Sequence, residues 1–115
     1  MIDKQNFKLS VIIPCYNEKN TIEKILDKVN YSLKSYDYKN YEIIIVDDFS
    51  TDGTREILKN FENNLNIKVI YHEKNYGKGY AIKSAKSNAD GDIILIQDAD
   101  LEYDPCDYNK LLEPV

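Results

Sequence analysis

The sequence predicts an α/β protein in which a mostly parallel sheet of about four strands is flanked by helices. Short runs rich in Ile and Val recur four times along the 115 residues, and segments with apolar residues at helical spacing lie between them. Alternation of strands and helices is typical of a parallel sheet with right-handed crossovers. A chain of this length has room for one compact core, so we expect a single domain over residues 1–115.

The four apolar runs are the predicted strands. The second and fourth are apolar without alternation, which is typical of strands that are buried on both faces of a parallel sheet. The runs are LSVIIP (9–14), YEIIIVDD (41–48), IKVIYH (67–72) and DIILIQD (92–98).

Three helices are predicted between the strands. The first follows the capping pair Asn20-Thr21 and carries apolar residues at helical spacing over residues 22–33. The second begins after Asp52, for which a role as N-cap is a sufficient explanation. The third runs from about residue 79 to residue 88.

A fourth helix is predicted from Pro105, a residue type that fits the first helical position. No apolar run follows this helix before Val115. We therefore expect the chain to be the first part of something longer, truncated at its C-terminal end.

Composition excludes several classes of function. The net charge is -5 and the 15 Lys and Arg residues are scattered, so we expect no nucleic-acid partner. Two cysteines without a CxxC pair predict neither a disulfide framework nor a zinc site, and we interpret Cys15 and Cys106 as reduced bystanders. A Ser-His-Asp triad would depend on the single His72, which we interpret as a surface residue at a strand end.

The N-terminal residues do not resemble a signal peptide, and no apolar run approaches the length of about 18 residues that a membrane span needs. The expected compartment is the cytoplasm.

Acidic residues follow the predicted strands. In an open α/β sheet, ligands bind at the carboxyl ends of the strands, and Asp47-Asp48 and Asp98-Ala99-Asp100 stand at two of these ends. Crowded carboxylates repel one another unless a cation or hydrogen-bond donors are present. Asp98 and Asp100 are two residues apart, so in an extended segment they point the same way, and their oxygens suit Mg²⁺ or Mn²⁺. For Asp48 alone, a turn-capping role explains the residue equally well.

Two glycines lie in the loop Asn75-Tyr76-Gly77-Lys78-Gly79, which leads into the third helix. A phosphate cradle at a helix start fits this composition, but the loop matches neither the GxxxxGK[ST] nor the GxGxxG pattern. A plain turn is the simpler interpretation of the loop.

Four segments, taken in order, resemble the family 2 glycosyltransferases with a Rossmann-like GT-A fold, and within them the polyprenol-phosphate glycosyltransferases. They span nearly the whole chain, and the last carries the DXD signature of the family. The segments are LSVIIPCYNEKNTI, YEIIIVDDFSTDGT, NYGKGYAI and GDIILIQDADLEYDP.

This resemblance implies a nucleotide-sugar-binding site, with Mg²⁺ or Mn²⁺ held by Asp98 and Asp100 of the DXD signature. The catalytic base is not identified. The implied nucleotide-sugar-binding residues are Pro14, Tyr16, Asn17, Glu18, Val46, Asp47, Asp48, Lys78, Asp98, Ala99 and Asp100.

The resemblance also implies an activity: metal-assisted transfer of a sugar, with inversion, from a UDP- or GDP-sugar to an acceptor. A lipid phosphate such as polyprenyl phosphate is one such acceptor, and it would place the protein at the cytoplasmic face of a membrane. The acceptor-binding half of these enzymes begins about where this chain ends, so we expect the chain alone to bind the donor without completing the transfer.

Two other functions fit parts of the pattern. A receiver-like phosphoacceptor domain is also α/β and could use Asp47, Asp48 and Asp98 around Mg²⁺, although a receiver has its acids after different strands. A non-catalytic nucleotide-binding module would keep the donor site and lack the transfer.

Overall fold

A computed structural model describes residues 7–35 and 38–99 of the protein. The predictions for Asp100, for Cys106 and for a helix from Pro105 lie outside these residues. The described elements are β1 (Leu9–Cys15), α1 (Ile22–Ser35), β2 (Tyr41–Asp47), α2 (Thr54–Lys59), β3 (Ile67–Tyr71), α3 (Lys78–Lys86) and β4 (Ile93–Ile96).

The four strands form one parallel sheet in the order β3-β2-β1-β4. In this register Ile13 pairs with Ile45 of β2, and Ile45 pairs with Val69 of β3. The order reverses direction after β3, because the chain crosses from one outer strand to the other through α3. The predicted parallel α/β sheet is confirmed.

Helices cover both faces of the sheet, and apolar residues fill each layer. On one face, Ile25 and Val29 of α1 belong to a large buried cluster with Val11 and Ile45. On the other face, α3 contributes only Ala81 and Ala85, which are fully buried in a cluster with Ile12, Ile44 and Val46. The small alanine side chains let α3 lie close to the sheet.

The prediction that the fourth strand is buried on both faces is wrong. In β4, Ile93 and Leu95 pack against the large cluster, whereas Ile94 and Ile96 are each 40% exposed. The reason is position: β4 is an outer strand of the sheet that residues 7–35 and 38–99 form, and α3 lies over β1 and β2 rather than over β4. The second strand is buried as predicted.

The start of α2 differs from the prediction, because the N-cap position belongs to Gly53 and not to Asp52. Gly53 has a φ of 105°, in the left-handed region that glycine adopts without strain. Asp52 still serves the helix, since its Oδ1 accepts the backbone N–H of Thr54 at 3.0 Å. In the described ranges, no helix is long and apolar enough to cross a membrane.

Candidate functional site

A small cavity lies at the carboxyl ends of β1, β2 and β4, and its volume is about 160 Å³. Six of the eleven predicted site residues line it, together with Cys15 and Ala81, which the sequence did not single out. The predicted residues among the lining are Pro14, Tyr16, Glu18, Asp48, Lys78 and Ala99.

The carboxylate of Asp48, directly after β2, accepts hydrogen bonds from the loop that precedes α3. Its Oδ1 accepts the N–H of Tyr76 at 2.9 Å, and its Oδ2 accepts the N–H of Gly77 at 2.7 Å. Burial raises the pKa of the Asp48 carboxyl, but the hydrogen bonds from His72, Tyr76 and Gly77 outweigh burial and hold the pKa below its usual value. Asp48 therefore carries a negative charge that is matched by fixed donors.

The interpretation of His72 as a surface residue is wrong. His72 is only 7% exposed, and its Nδ1 lies 2.8 Å from Oδ1 of Asp48. Its other ring nitrogen, Nε2, lies 3.0 Å from Oγ of Ser84 on α3. The ring therefore joins the end of β2 to α3. Its position directly after a strand, like that of Asp48, was the one sequence signal of this role.

Asp48, His72 and Ser84 are hydrogen-bonded in the order of a catalytic triad, but the surroundings of Ser84 do not suit acyl transfer. Ser84 lies inside α3, where backbone N–H groups bond to carbonyls of the same helix. Such N–H groups are not available to form an oxyanion hole. The arrangement instead holds the loop before α3 in place.

Lys78, the first residue of α3, faces Asp98 at the end of β4. Its Nζ forms an ion pair with Oδ1 of Asp98, and the two side chains are 59% and 15% exposed, respectively. The structure thus brings these two predicted residues together beside the cavity, which Lys78 lines and Asp98 does not.

The backbone around Asp98 is held from both sides. The N–H of Gln97 donates to the carbonyl of Ile12 in β1 at 2.8 Å. On the other side, the hydroxyl of Thr21 lies 2.6 Å from the carbonyl oxygen of Ala99. Asp98 is therefore a fixed carboxylate, whereas the longer and more exposed Lys78 is the movable partner.

Asn17 and Glu18 connect the loop after β1 to the loop after β2. The N–H of Asn17 donates to Oγ of Ser50, and Oδ1 of Asn17 accepts the N–H of Thr51, both at 2.8 Å. Asn17 has a φ of 52°, which asparagine tolerates better than most residues. The N–H of Glu18 donates to Oγ1 of Thr54 at 3.1 Å. Of the two residues, Glu18 reaches the cavity lining and Asn17 does not.

Val46 and Asp47 are near the site in sequence but do not line the cavity. Val46 is fully buried beneath α3. Asp47 is also fully buried, pairs with Nε of Arg55 and accepts the N–H of Ser50 at 3.1 Å. A receiver-like centre would need Asp47 beside Asp48 and Asp98 around a cation. Its ion pair with Arg55 instead gives Asp47 a structural role.

The thiol of Cys15 borders the cavity but is not reactive. Cys15 is a free, buried cysteine, as expected from the sequence. Burial and the nearby charges of Asp47 and Glu18 raise its pKa far above the usual value, so the thiolate does not form near neutral pH.

Within residues 7–35 and 38–99, no group of three or more His, Cys, Asp or Glu side chains is placed to hold a metal ion. Magnesium in phosphate sites is usually held by one or two carboxylates together with phosphate oxygens. Asp98 supplies one such oxygen donor, and the ammonium of Lys78 already places a positive charge on it. The donor chemistry at Asp98 therefore suits Mg²⁺ or Mn²⁺, and the predicted second ligand, Asp100, lies outside the described residues.

Comparison with known proteins identifies the family to which this chain belongs. The model of the family described as Glycosyl transferase family 2 matches residues 10–115. The dolichol-phosphate mannosyltransferase of Pyrococcus furiosus is 36% identical over 94% of this chain and 30% of its own length. The undecaprenyl-phosphate 4-deoxy-4-formamido-L-arabinose transferase of Proteus mirabilis is 37% identical over 91% of this chain and 32% of its own length. The chain thus spans about a third of the length of these relatives.

Solved structures agree with the sequence comparison. The mannosyltransferase PcManGT from Pyrobaculum calidifontis, in complex with GDP-Man and Mn²⁺, is similar with a TM-score of 0.77 and 30% identity over 94% of this chain and 33% of that chain. S. aureus TarS in complex with UDP is similar with a TM-score of 0.71 and 35% identity over 81% of this chain and 27% of that chain. These similarities confirm the predicted GT-A type of fold.

Proposed function

This chain belongs to glycosyl transferase family 2, and we propose that it binds the nucleoside diphosphate of a sugar donor in the cavity that Asp48 and Lys78 line, beside Asp98. The observation that carries the proposal is the ion pair of Asp98 with Lys78, a residue that lines the cavity. A diphosphate needs cationic partners, and this protein with a net charge of -5 provides one at this point of its surface.

The two walls of the cavity suit different parts of a nucleotide. Pro14 and the half-exposed Tyr16 form one wall after β1, which offers apolar surface to a base or ribose. Lys78 and the N-terminus of α3 form the other, where a phosphate finds positive charge. The base-side role expected for Val46 and Asp47 stays a proposal, and their burial leaves the backbone as the part that would make the contact.

We propose that Asp98, with Asp100, holds Mg²⁺ or Mn²⁺ against the donor diphosphate. The bound cation supplies electrostatic neutralisation of the charge that develops on the leaving nucleoside diphosphate. The complex of PcManGT with GDP-Man and Mn²⁺ supports this pairing of nucleotide and metal in a similar fold.

The proposed overall reaction is transfer of the sugar, with inversion, to a polyprenyl phosphate at a membrane surface. Support for the acceptor comes from the names of two relatives, which act with dolichol phosphate and undecaprenyl phosphate. A phosphate acceptor is already an anion and needs no strong general base to become nucleophilic.

The test is calorimetric titration of the full-length protein with UDP and with GDP, each with and without Mn²⁺. We expect one nucleotide to bind in a metal-dependent manner and Asp98→Asn to weaken that binding by at least about tenfold. Asp27→Asn makes the same change of charge on the exposed side of α1 and should bind like the wild type. If neither nucleotide binds, or if both variants behave alike, the cavity is not the donor site.

A further inference from the structure

We propose that Lys78 occupies, in the donor-free protein, the place at Asp98 where a cation would sit, and that it moves from Asp98 to the donor phosphates when the site is loaded. This inference rests on the donor site proposed above. Lys78 then has two partners in succession, Asp98 and the donor phosphates. Its side chain should weaken the binding of a cation at Asp98 and strengthen the binding of the nucleotide.

The first argument is the contrast in freedom between the two partners. The main chain on both sides of Asp98 is held, by Gln97 to β1 and by Ala99 to Thr21, and the Asp98 side chain is 15% exposed. The Lys78 side chain is 59% exposed and ends in a compact charge on a flexible stem. An ion pair with so exposed a partner contributes little net stability, so breaking the pair of Lys78 with Asp98 costs little.

The second argument is the place of Lys78 in α3. A cation in the first turn of a helix is unfavourable, because that end carries partial positive charge, and no acidic residue is present in this turn. An anion opposite Lys78 offsets this unfavourable interaction, and in the donor-free protein that anion is Asp98. Donor phosphates can take over this role, because their negative charge suits the helix N-terminus as well.

The third argument is that hydrogen bonds hold the main chain just before Lys78 in place. The two residues before it in the chain, Tyr76 and Gly77, donate their N–H groups to Asp48, which His72 holds in turn. The main chain of Lys78 therefore stays in place while its side chain changes partner. A divalent cation beside Asp98 would repel the ammonium of Lys78, and this repulsion favours the move of Lys78 to the donor phosphates.

The experiment uses the full-length protein with Lys78→Gln and the matched control Lys83→Gln, an exposed lysine on the same helix. Two binding constants are measured: Mn²⁺ without nucleotide, by electron paramagnetic resonance, and UDP or GDP at saturating Mn²⁺, by calorimetry. Lys78→Gln should bind Mn²⁺ up to about fivefold more tightly than the wild type, because its competitor is gone. The same variant should bind the nucleotide at least about tenfold more weakly.

Lys83→Gln should change neither constant. If Lys78→Gln binds Mn²⁺ no more tightly than Lys83→Gln, or if no Mn²⁺ binds to either, Lys78 does not cover the cation position and the inference is wrong. Failure of the donor site itself is distinguishable, since the wild type would then bind neither nucleotide in the presence of Mn²⁺.

Discussion

Nδ1 of His72 lies 2.8 Å from Oδ1 of Asp48, and this contact links the ends of β2 and β3 to the start of α3. The same carboxylate accepts the N–H groups of Tyr76 and Gly77, so one buried group sets the course of the loop that precedes Lys78. The geometry of the candidate donor site therefore depends on a histidine that does not line the cavity.

Replacement of His72 should loosen this loop. His72→Ala removes a hydrogen bond to a buried carboxylate, and we expect it to lower the free energy of unfolding by about 1–3 kcal/mol. It should also speed hydrogen exchange at the amides of Tyr76 and Gly77. His72→Asn is the control, because its side-chain amide can still donate to Asp48 while losing Ser84. If both variants exchange like the wild type, His72 does not position the loop.

Stability should fall at acid pH because carboxylates, Glu42 and Asp48 among them, are held ionised in the folded protein. For Glu42, burial raises the pKa, but hydrogen bonds from Ser10 and from the N–H of Asp90, with the charge of Lys68, lower it below the usual 4.5. Asp48 is likewise lowered below 3.8. A depressed pKa contributes stability that is present above the usual value and is lost as the pH falls through the folded value.

The measurement is urea denaturation between neutral pH and pH 3, followed by circular dichroism. We expect Glu42→Gln to be less stable than the wild type at neutral pH and to lose less stability on acidification. Asp27→Asn, at an exposed position, should keep the pH dependence of the wild type. An unchanged slope in Glu42→Gln would contradict the role given to this carboxylate.

Two glycines should respond to alanine in opposite directions. A Cβ at Gly91 would lie 2.3 Å from Oγ of Ser10 and 2.7 Å from its backbone nitrogen, so Gly91→Ala should destabilise the protein by about 1–3 kcal/mol. A Cβ at Gly79 in α3 meets nothing within 4 Å. Gly79→Ala should therefore stabilise the protein, by less than the cost of about 0.5–1 kcal/mol that glycine has in the middle of a helix, because Gly79 is the second residue of α3. Thermal unfolding of the two variants measures whether each change in stability is positive or negative. If both variants are destabilised, or both stabilised, the packing described at these two glycines is wrong.

Cys15 should resist alkylation in the folded protein. Its burial and raised pKa disfavour the thiolate, which is the reactive form. In a Cys106→Ser background, iodoacetamide at neutral pH should modify Cys15 only after denaturant is added, as mass spectrometry would record. Rapid modification without denaturant would contradict the burial of the Cys15 thiol.

The strands could be predicted from the sequence because each is a short run of Ile and Val bounded by polar residues. The exposure of Ile94 and Ile96 could not, since a continuous apolar run looks the same in a central strand and an outer one. Only the sheet order shows that β4 has one neighbour among the described strands and that α3 lies over β1 and β2.

The candidate site was predictable in part for a related reason. The carboxyl ends of parallel strands meet at one edge, so Asp48 and Asp98 could be expected there. Asp47 instead pairs with Arg55 of α2, and the sequence does not show that these two residues meet. The role of His72 was missed because its partners stand 24 residues before it and 12 residues after it, and the sequence does not show that they meet.

The most direct test of the donor site is the location of the bound nucleotide, measured by amide chemical-shift mapping with Mg²⁺ and the nucleotide that binds. We expect the largest shifts at Tyr16, Lys78 and Ala99, which line the cavity after β1, at the start of α3 and after β4, respectively. The amides of Ser87 and Asn88, in a second hollow beside α3, should stay unchanged. Shifts confined to Ser87 and Asn88, with none at Tyr16, Lys78 or Ala99, would contradict the assignment of the donor site.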